Sequence, residues 1–206
     1  MYAIRFYAEV VRALDEIGAP YMIVGAFAGL SFGITRTTFD IDILVDLRDT
    51  DFDALSDRFP LPRYYADPEM MRNSTQMGIM FNIIDSQEGI KADLVPLKRE
   101  PEYRNAFDRR IRRMFSDGQT EFEAWCARPE DVMIGKLQAW NEGQSTKHPA
   151  DIFSMLLYLL SEDTDVPFNP DLVSVAAKRI GKNAVNLWSD LVTRAQEEMS
   201  NRPKGE

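Results

Sequence analysis

Asp40 and Asp42 stand two residues apart in TTFDIDILV, a run of β-branched and aromatic residues that alternates polar with apolar and predicts a half-buried strand over residues 37–45. Side chains two apart on a strand share a face, so both carboxylates project together while Phe39, Ile41 and Ile43 turn toward the core. At a rise of ~3.3 Å per residue their Cα atoms lie about 7 Å apart, near enough for the oxygens to converge on an ion. Brought to about 5 Å at an effective dielectric near 20, two such charges repel by roughly 3 kcal/mol, and a divalent cation reverses that cost. Asp93, in IKADLVPL, is a third acid between apolar neighbours; Lys91, Asp93 and Val95 share one face, Ile90, Ala92 and Leu94 the other. If its strand lies beside that of Asp40 and Asp42, three hard oxygen donors meet, a set suited to magnesium or manganese. Two such ions about 3.5 to 4 Å apart serve in-line displacement at phosphorus.

The elements that position these acids are legible in the flanking patterns. Phe6, Val10, Leu14 and Ile17 draw one apolar stripe on a helix over residues 2–17, stopped by Gly18 and Pro20. YMIV, from Tyr21 to Val24, is a short strand that ends at Gly25, and AFAGLSF then has helical spacing closed by Gly33. A helix is predicted over residues 51–59, and Ser86 to Gly89 separate two apolar runs as a hairpin turn. Pro101 opens a further helix, and residues 112–127 read as a strand pair about Asp117 and Gly118, so the sheet is mixed or partly antiparallel. From Pro129 onward the pattern is helical: PEDVMIGKLQAW, PADIFSMLLYLL and two more helices between Pro170 and Met199, with NEGQSTKH as a polar linker between the first two. The change near Arg128 divides an α/β part, residues 1–128, from a helical part, residues 129–206, although a chain of this length also packs both on one core.

A hydrophobic content of 45% over 206 residues supports one substantial core or two modest ones. No apolar run approaches the roughly 20 residues of a membrane helix, and Glu9, Asp15 and Glu16 sit where a signal peptide needs basic and then uncharged residues, so the cytoplasm is expected. Cys126 is the only cysteine, which excludes an internal disulfide and a zinc site built from cysteines; a half-buried apolar thiol is expected. A net charge of -9 repels phosphate backbones and argues against general nucleic-acid binding. Arg109, Arg110, Arg112 and Arg113 form the one dense basic stretch, read as a solvated helix or strand face. His148 has no histidine partner for a metal site or a phosphorylation relay, and a helix-start or surface role is expected.

A D-x-D pair taken alone also suits plain surface solubility, but its surroundings are more specific. The segment VGAFAGLSFGITRTTFDIDILVD resembles the signature of the nucleotidyltransferase superfamily that includes DNA polymerase β, particularly its small bacterial members related to the AbiEii toxins. Those have a glycine turn after a strand, a short helix, a gap, and D-x-D on the next strand. PEDVMIGKLQAW and KHPADIFSML look like the family's helix with an inward lysine and its next helix with an aspartate, here Lys136 and Asp151. The resemblance spans residues 21–157 and implies an α/β (α+β) nucleotidyltransferase fold with a mixed sheet and a helical C-terminal part. By resemblance Gly25 lets the backbone approach a nucleoside triphosphate, Asp40 and Asp42 bind magnesium or manganese, Asp93 completes the site, Lys136 contacts phosphate, and Arg36 steadies either the triphosphate or its loop. Plainer roles compete: a simple turn for Gly25, a solvated helix residue for Lys136, and for Asp151 a first-turn acid favoured by the helix dipole. Ala26 departs from the family, which usually has glycine or serine after the first glycine; a helix N-terminus still offers amide donors to phosphate there.

The resemblance implies transfer of a nucleoside monophosphate from a triphosphate to a hydroxyl of a partner protein, an RNA or a small molecule, within a toxin–antitoxin pair or in antibiotic modification. The acidic charge disfavours RNA. Ala26 motivates a second reading, a member without turnover that serves as a nucleotide-binding or antitoxin-like interaction module. Dinucleotide binding at the glycine turn is excluded, because no G-x-G-x-x-G follows the strand.

Overall fold

Helix α1 (Tyr2–Glu16) forms on the stripe that the spacing marks out, burying Phe6, Val10 and Leu14. The computed structural model describes residues 2–97, 103–161, 164 and 166–201, and the chain divides into two units. The first comprises Met1–Phe27 and Thr37–Ala127, the second Ala28–Arg36 and Arg128–Glu206.

In the first unit β1 (Tyr21–Val24) runs into the turn at Gly25, where the short helix α2 (Gly25–Leu30) begins. Strand β2 (Ile41–Val45) returns antiparallel to β1. Helix α3 (Asp49–Arg58), the short strand β3 (Tyr64–Tyr65) and helix α4 (Pro68–Met77) follow, α4 being capped by Asp67, which accepts from the Met70 amide at 2.7 Å. The expected hairpin is β4 (Phe81–Asp85) and β5 (Ile90–Pro96). After α5 (Arg104–Asp108), β6 (Ile111–Ser116) and β7 (Glu121–Cys126) form the second hairpin. The helix start expected at Pro101 lies outside the described residues.

Together these strands make one seven-stranded sheet in the order β3-β4-β5-β2-β1-β7-β6. It is mixed: β2/β5 and β1/β7 pair in parallel, the other neighbours antiparallel. Ile41, Ile43, Phe81, Ile83, Ala92 and Leu94 are buried on one face of the central strands, which leaves Asp42, Asn82, Lys91 and Asp93 to the other. Tyr7, Phe27, Phe115 and Phe122 join α1 to the β6/β7 hairpin through ring contacts of 5.1 to 5.5 Å between successive pairs.

One expectation about the central strand fails. The strand begins at Ile41, not Thr37, so Asp40 precedes it and Phe39 stands 76% exposed, turned away from the core. Pairing sets that limit. β1 ends at Val24, opposite Asp42, where the chain leaves into α2, and no further β1 residue remains beside residues 37–40.

The second unit is helical: α6 (Pro129–Gly143), α7 (Lys147–Leu159), α8 (Pro170–Ile180) and α9 (Lys182–Asn201). Most of the expected polar linker is helix, since α6 continues to Gly143 and α7 starts at Lys147. Met133, Leu137, Ile152, Met155, Val173 and Leu191 fill this core. Among the described residues no helix is long and apolar enough to cross a membrane.

Candidate functional site

Asp42 and Asp93 are direct partners across the parallel pair β2/β5, so their side chains rise from the same face of adjacent strands. The Gly25 turn passes beside Asp42. Gly25 has φ +69°, and a Cβ placed there would stand 2.6 Å from Asp42 Oδ2, so only a residue without a side chain lets that carboxylate lie against the backbone. Asp40 lies exposed just before β2.

Asp93 is 7% exposed and heavily engaged. Lys91, two residues earlier on the same face of β5, donates from Nζ to both carboxylate oxygens at 2.8 Å. Asn82, opposite Asp93 on β4, donates its amide to Oδ1. The bond to Asp93 raises the Lys91 pKa above its ordinary value against the opposing effect of burial, and the charges of Asp93, Asp40 and Asp42 add to the rise. Tyr7 stands in the same field: its hydroxyl is pushed up to about 12, first by burial and then by Asp40, Asp93 and Asp42. That hydroxyl donates to the Phe39 carbonyl at 2.6 Å, fixing the backbone immediately before Asp40.

The donor types, carboxylates on β2, on β5 and in the segment before β2, are those a hard divalent cation takes. As the side chains lie, no three His, Cys, Asp or Glu among the described residues are gathered to hold a metal. The strands are adjacent, the condition on which the acids could meet, yet Asp93 is turned to Lys91 and Asn82, and Asp40 sits off the strand. Neighbouring carboxylates repel, and the Lys91 ammonium on Asp93 relieves part of that repulsion.

Arg36 and Lys136 belong to the helical unit, where both are engaged by Asp151. Arg36 donates from Nε and Nη2 to the two Asp151 oxygens at 2.7 and 2.8 Å, and Lys136 Nζ adds a bond of 2.6 Å to Oδ2. Lys136 is therefore no solvated helix residue; it is 5% exposed, and Asp151 is 3% exposed in the second turn of α7, not its first. Burial alone raises the Asp151 carboxyl, but the bonds from Arg36 and Lys136 outweigh it and hold the group below its ordinary value. Burial pushes the Lys136 ammonium down in spite of Asp151. His148 falls in the first turn of α7 as expected, its pKa lowered by burial and then by Lys136 and Lys147. Ala26 is the second residue of α2, a helix of only six residues, too short to build much of a dipole.

Sequence reasoning placed Lys91 on the face of Asp93 without giving it a role, and it missed Asn82 and Tyr7. Asn82 needed the exact hairpin register, whereas the Lys91 signal, a base two residues from an acid on a strand, was already present. Of the basic stretch, Arg110 and Arg112 lie over the Trp125 ring at 5.0 and 5.3 Å, and Arg112 also bonds Glu123. Cys126 is fully buried in β7, beyond the half-burial expected of it.

No protein-family model and no curated protein matches the sequence. Among solved structures, the chain is similar to an antigenic nucleotidyltransferase-like protein from Paracoccidioides brasiliensis, with a TM-score of 0.53 and 17% identity over 94% of this chain and 92% of that one. JHP933 from Helicobacter pylori gives a TM-score of 0.48 and 14% identity over 97% of this chain and 94% of that one. The antibiotic-resistance factor ANT(2'')-Ia gives 0.46 and 12% over 97% of each chain. The first likeness shows a nucleotidyltransferase fold, and at such identity it speaks of fold alone.

Proposed function

We propose that the chain is a magnesium- or manganese-dependent nucleotidyltransferase that moves a nucleoside monophosphate from a nucleoside triphosphate to a hydroxyl acceptor. The observation that carries this reading is the register of Asp42 on Asp93 across β2/β5 beside the Gly25 turn. A cation bound by Asp40, Asp42 and Asp93 supplies positive charge against the triphosphate.

The chain's own residues do the rest. Gly25, without a side chain, lets phosphate approach the backbone at the start of α2, and Ala26 adds bulk but no hydroxyl. Tyr7 holds the backbone ahead of Asp40. Asp93 receives the acceptor's proton as the acceptor oxygen bonds to the α-phosphorus; the bond from that phosphorus to the bridging oxygen breaks, and pyrophosphate leaves. Arg36, Lys136 and Asp151 form a network in which the Lys136 ammonium bonds Asp151. On this reading the chemistry belongs to residues 1–128, and residues 129–206 form the accompanying helical region.

The motif spacing over residues 21–157 supports placing the chain with the AbiEii-related branch, and with it a toxin–antitoxin role in the cytoplasm. A protein or small-molecule hydroxyl fits the acidic surface better than RNA as acceptor. Ala26 supports one rival, a member that binds nucleotide or a partner protein without turnover. Pyrophosphate release by the purified protein with magnesium, each triphosphate and cell lysate separates the two. Release should fall at least about a hundred-fold in Asp42→Asn. Equal release from parent and variant overturns the enzyme reading, and triphosphate binding without release supports the rival.

A further inference from the structure

Asp93 sits largely buried at the floor of an acidic surface, where a bare carboxylate beside Asp42 and Asp40 carries both a desolvation cost and repulsion. What meets it is a side chain from its own strand. Lys91 spans both oxygens symmetrically at 2.8 Å, while Asn82 holds Oδ1 from the neighbouring strand. Those contacts use the donor capacity a divalent ion requires. The same lysine is 45% exposed along its side chain, so its ammonium has open solvent to move into without disturbing the core.

We infer that Lys91 is the resident counter-ion of this site, competing with the divalent cation for Asp93 and so setting the metal concentration at which the site loads. The inference rests on the metal-dependent reading above. In the unloaded protein the ammonium stands in for one of the ion's positive charges and keeps Asp93 compatible with the carboxylates beside it. When the ion binds, Lys91 releases Asp93 and its charge turns outward on the same face of β5. Asn82 is neutral and does not compete by charge, so it keeps the carboxylate oriented in both states. A lysine that merely stabilised the strand would give the opposite signature: removing it would loosen the site and weaken metal binding.

The test is calorimetric titration of manganese and magnesium into the parent protein, Lys91→Met, Lys91→Gln and Lys91→Arg, with melting temperatures recorded with and without metal. Removing the charge should tighten manganese binding about ten-fold, since the ion no longer displaces a paired ammonium. Both neutral variants should melt lower than the parent without metal and regain that loss with it. Lys91→Arg should bind the ion no more tightly than the parent. Equal or weaker binding in the neutral variants, with clear binding in the parent, overturns the role of Lys91 and leaves the proposed reaction standing. No binding in the parent or in either neutral variant overturns the metal site itself. If Lys91→Met fails to fold, Lys91→Gln, which keeps a polar tip, decides the matter alone.

Discussion

Two clusters in this molecule set carboxylates against basic side chains, and they do so in opposite proportion. In the helical unit one buried carboxylate, Asp151, receives Arg36 and Lys136, and both of its oxygens are bonded. At the sheet, Asp42 and Asp93 stand on adjacent strands with Asp40 exposed just before β2, and Asp93 is bonded by the Lys91 ammonium. In the first cluster every group is bonded to an opposite charge, with one cation more than its single carboxylate balances. The second gathers carboxylates beside a backbone that a side chain at Gly25 would obstruct. A buried acid needs its oxygens met from within the chain, whereas an exposed acid is met by solvent and keeps lone pairs open to a ligand.

The sharpest way to break this contrast is to remove one carboxylate from each cluster. Asp151→Ala leaves Lys136 buried and unpaired and should cost about 3–5 kcal/mol in urea unfolding. Asp40→Asn removes a repelling charge at the surface and should change stability by less than about 0.5 kcal/mol. Similar losses from both would mean that the sheet cluster is structural too. The pH profile follows from sign. Because the folded pKa of Asp151 lies below the unfolded value near 3.8, its stabilisation is present above that value and lost as pH falls through the folded one. The slope of stability against pH should therefore flatten below the unfolded value in Asp151→Asn, as followed by unfolding at graded acid pH.

A second substitution tests whether the glycine turn belongs to the site. Gly25→Ala places a methyl group against Asp42 Oδ2 in a left-handed backbone, and should cost about 1–3 kcal/mol. Gly118→Ala, at φ +85° with nothing within 4 Å of the new group, carries the strain without the contact. Only the first should also abolish the rise in melting temperature on adding magnesium. Loss of that response in both would detach the effect from Asp42.

The smallest effect is expected at Tyr7. Removing its hydroxyl in Tyr7→Phe breaks one bond to the Phe39 carbonyl and should cost about 0.5–1.5 kcal/mol by denaturant unfolding. Pyrophosphate release should fall by less than in Asp42→Asn, because Asp40 is loosened and not removed. Unchanged stability and release together would leave Tyr7 as core packing alone.

Much of the scaffold was legible without coordinates, because it depends on local periodicity. The α1 stripe, the two hairpins and the four C-terminal helices each follow from side-chain spacing within a dozen or so residues. Helix α4 was overlooked although its signals, Asp67 as cap and Pro68 at the first helical position, stand in the sequence; a polar run NSTQ hid the period. The acidic pair, Asp93 and Gly25 were legible as a set of types at telling distances. Where strand β2 begins was not, because a strand ends where its neighbour's backbone ends, and β1 stops at Val24. Nor were the partners of each charge legible. Arg36 meets Asp151 across a separation of 115 residues, and Asn82 meets Asp93 only through the hairpin register. The sequence by itself determined which residues could carry charge and which segments could be helix or strand, since those are local properties. Tertiary packing alone decided that Arg36 and Lys136 both meet Asp151 and that Asn82 meets Asp93, because such partners are chosen by proximity in space and by the cost of burying whichever group is left over.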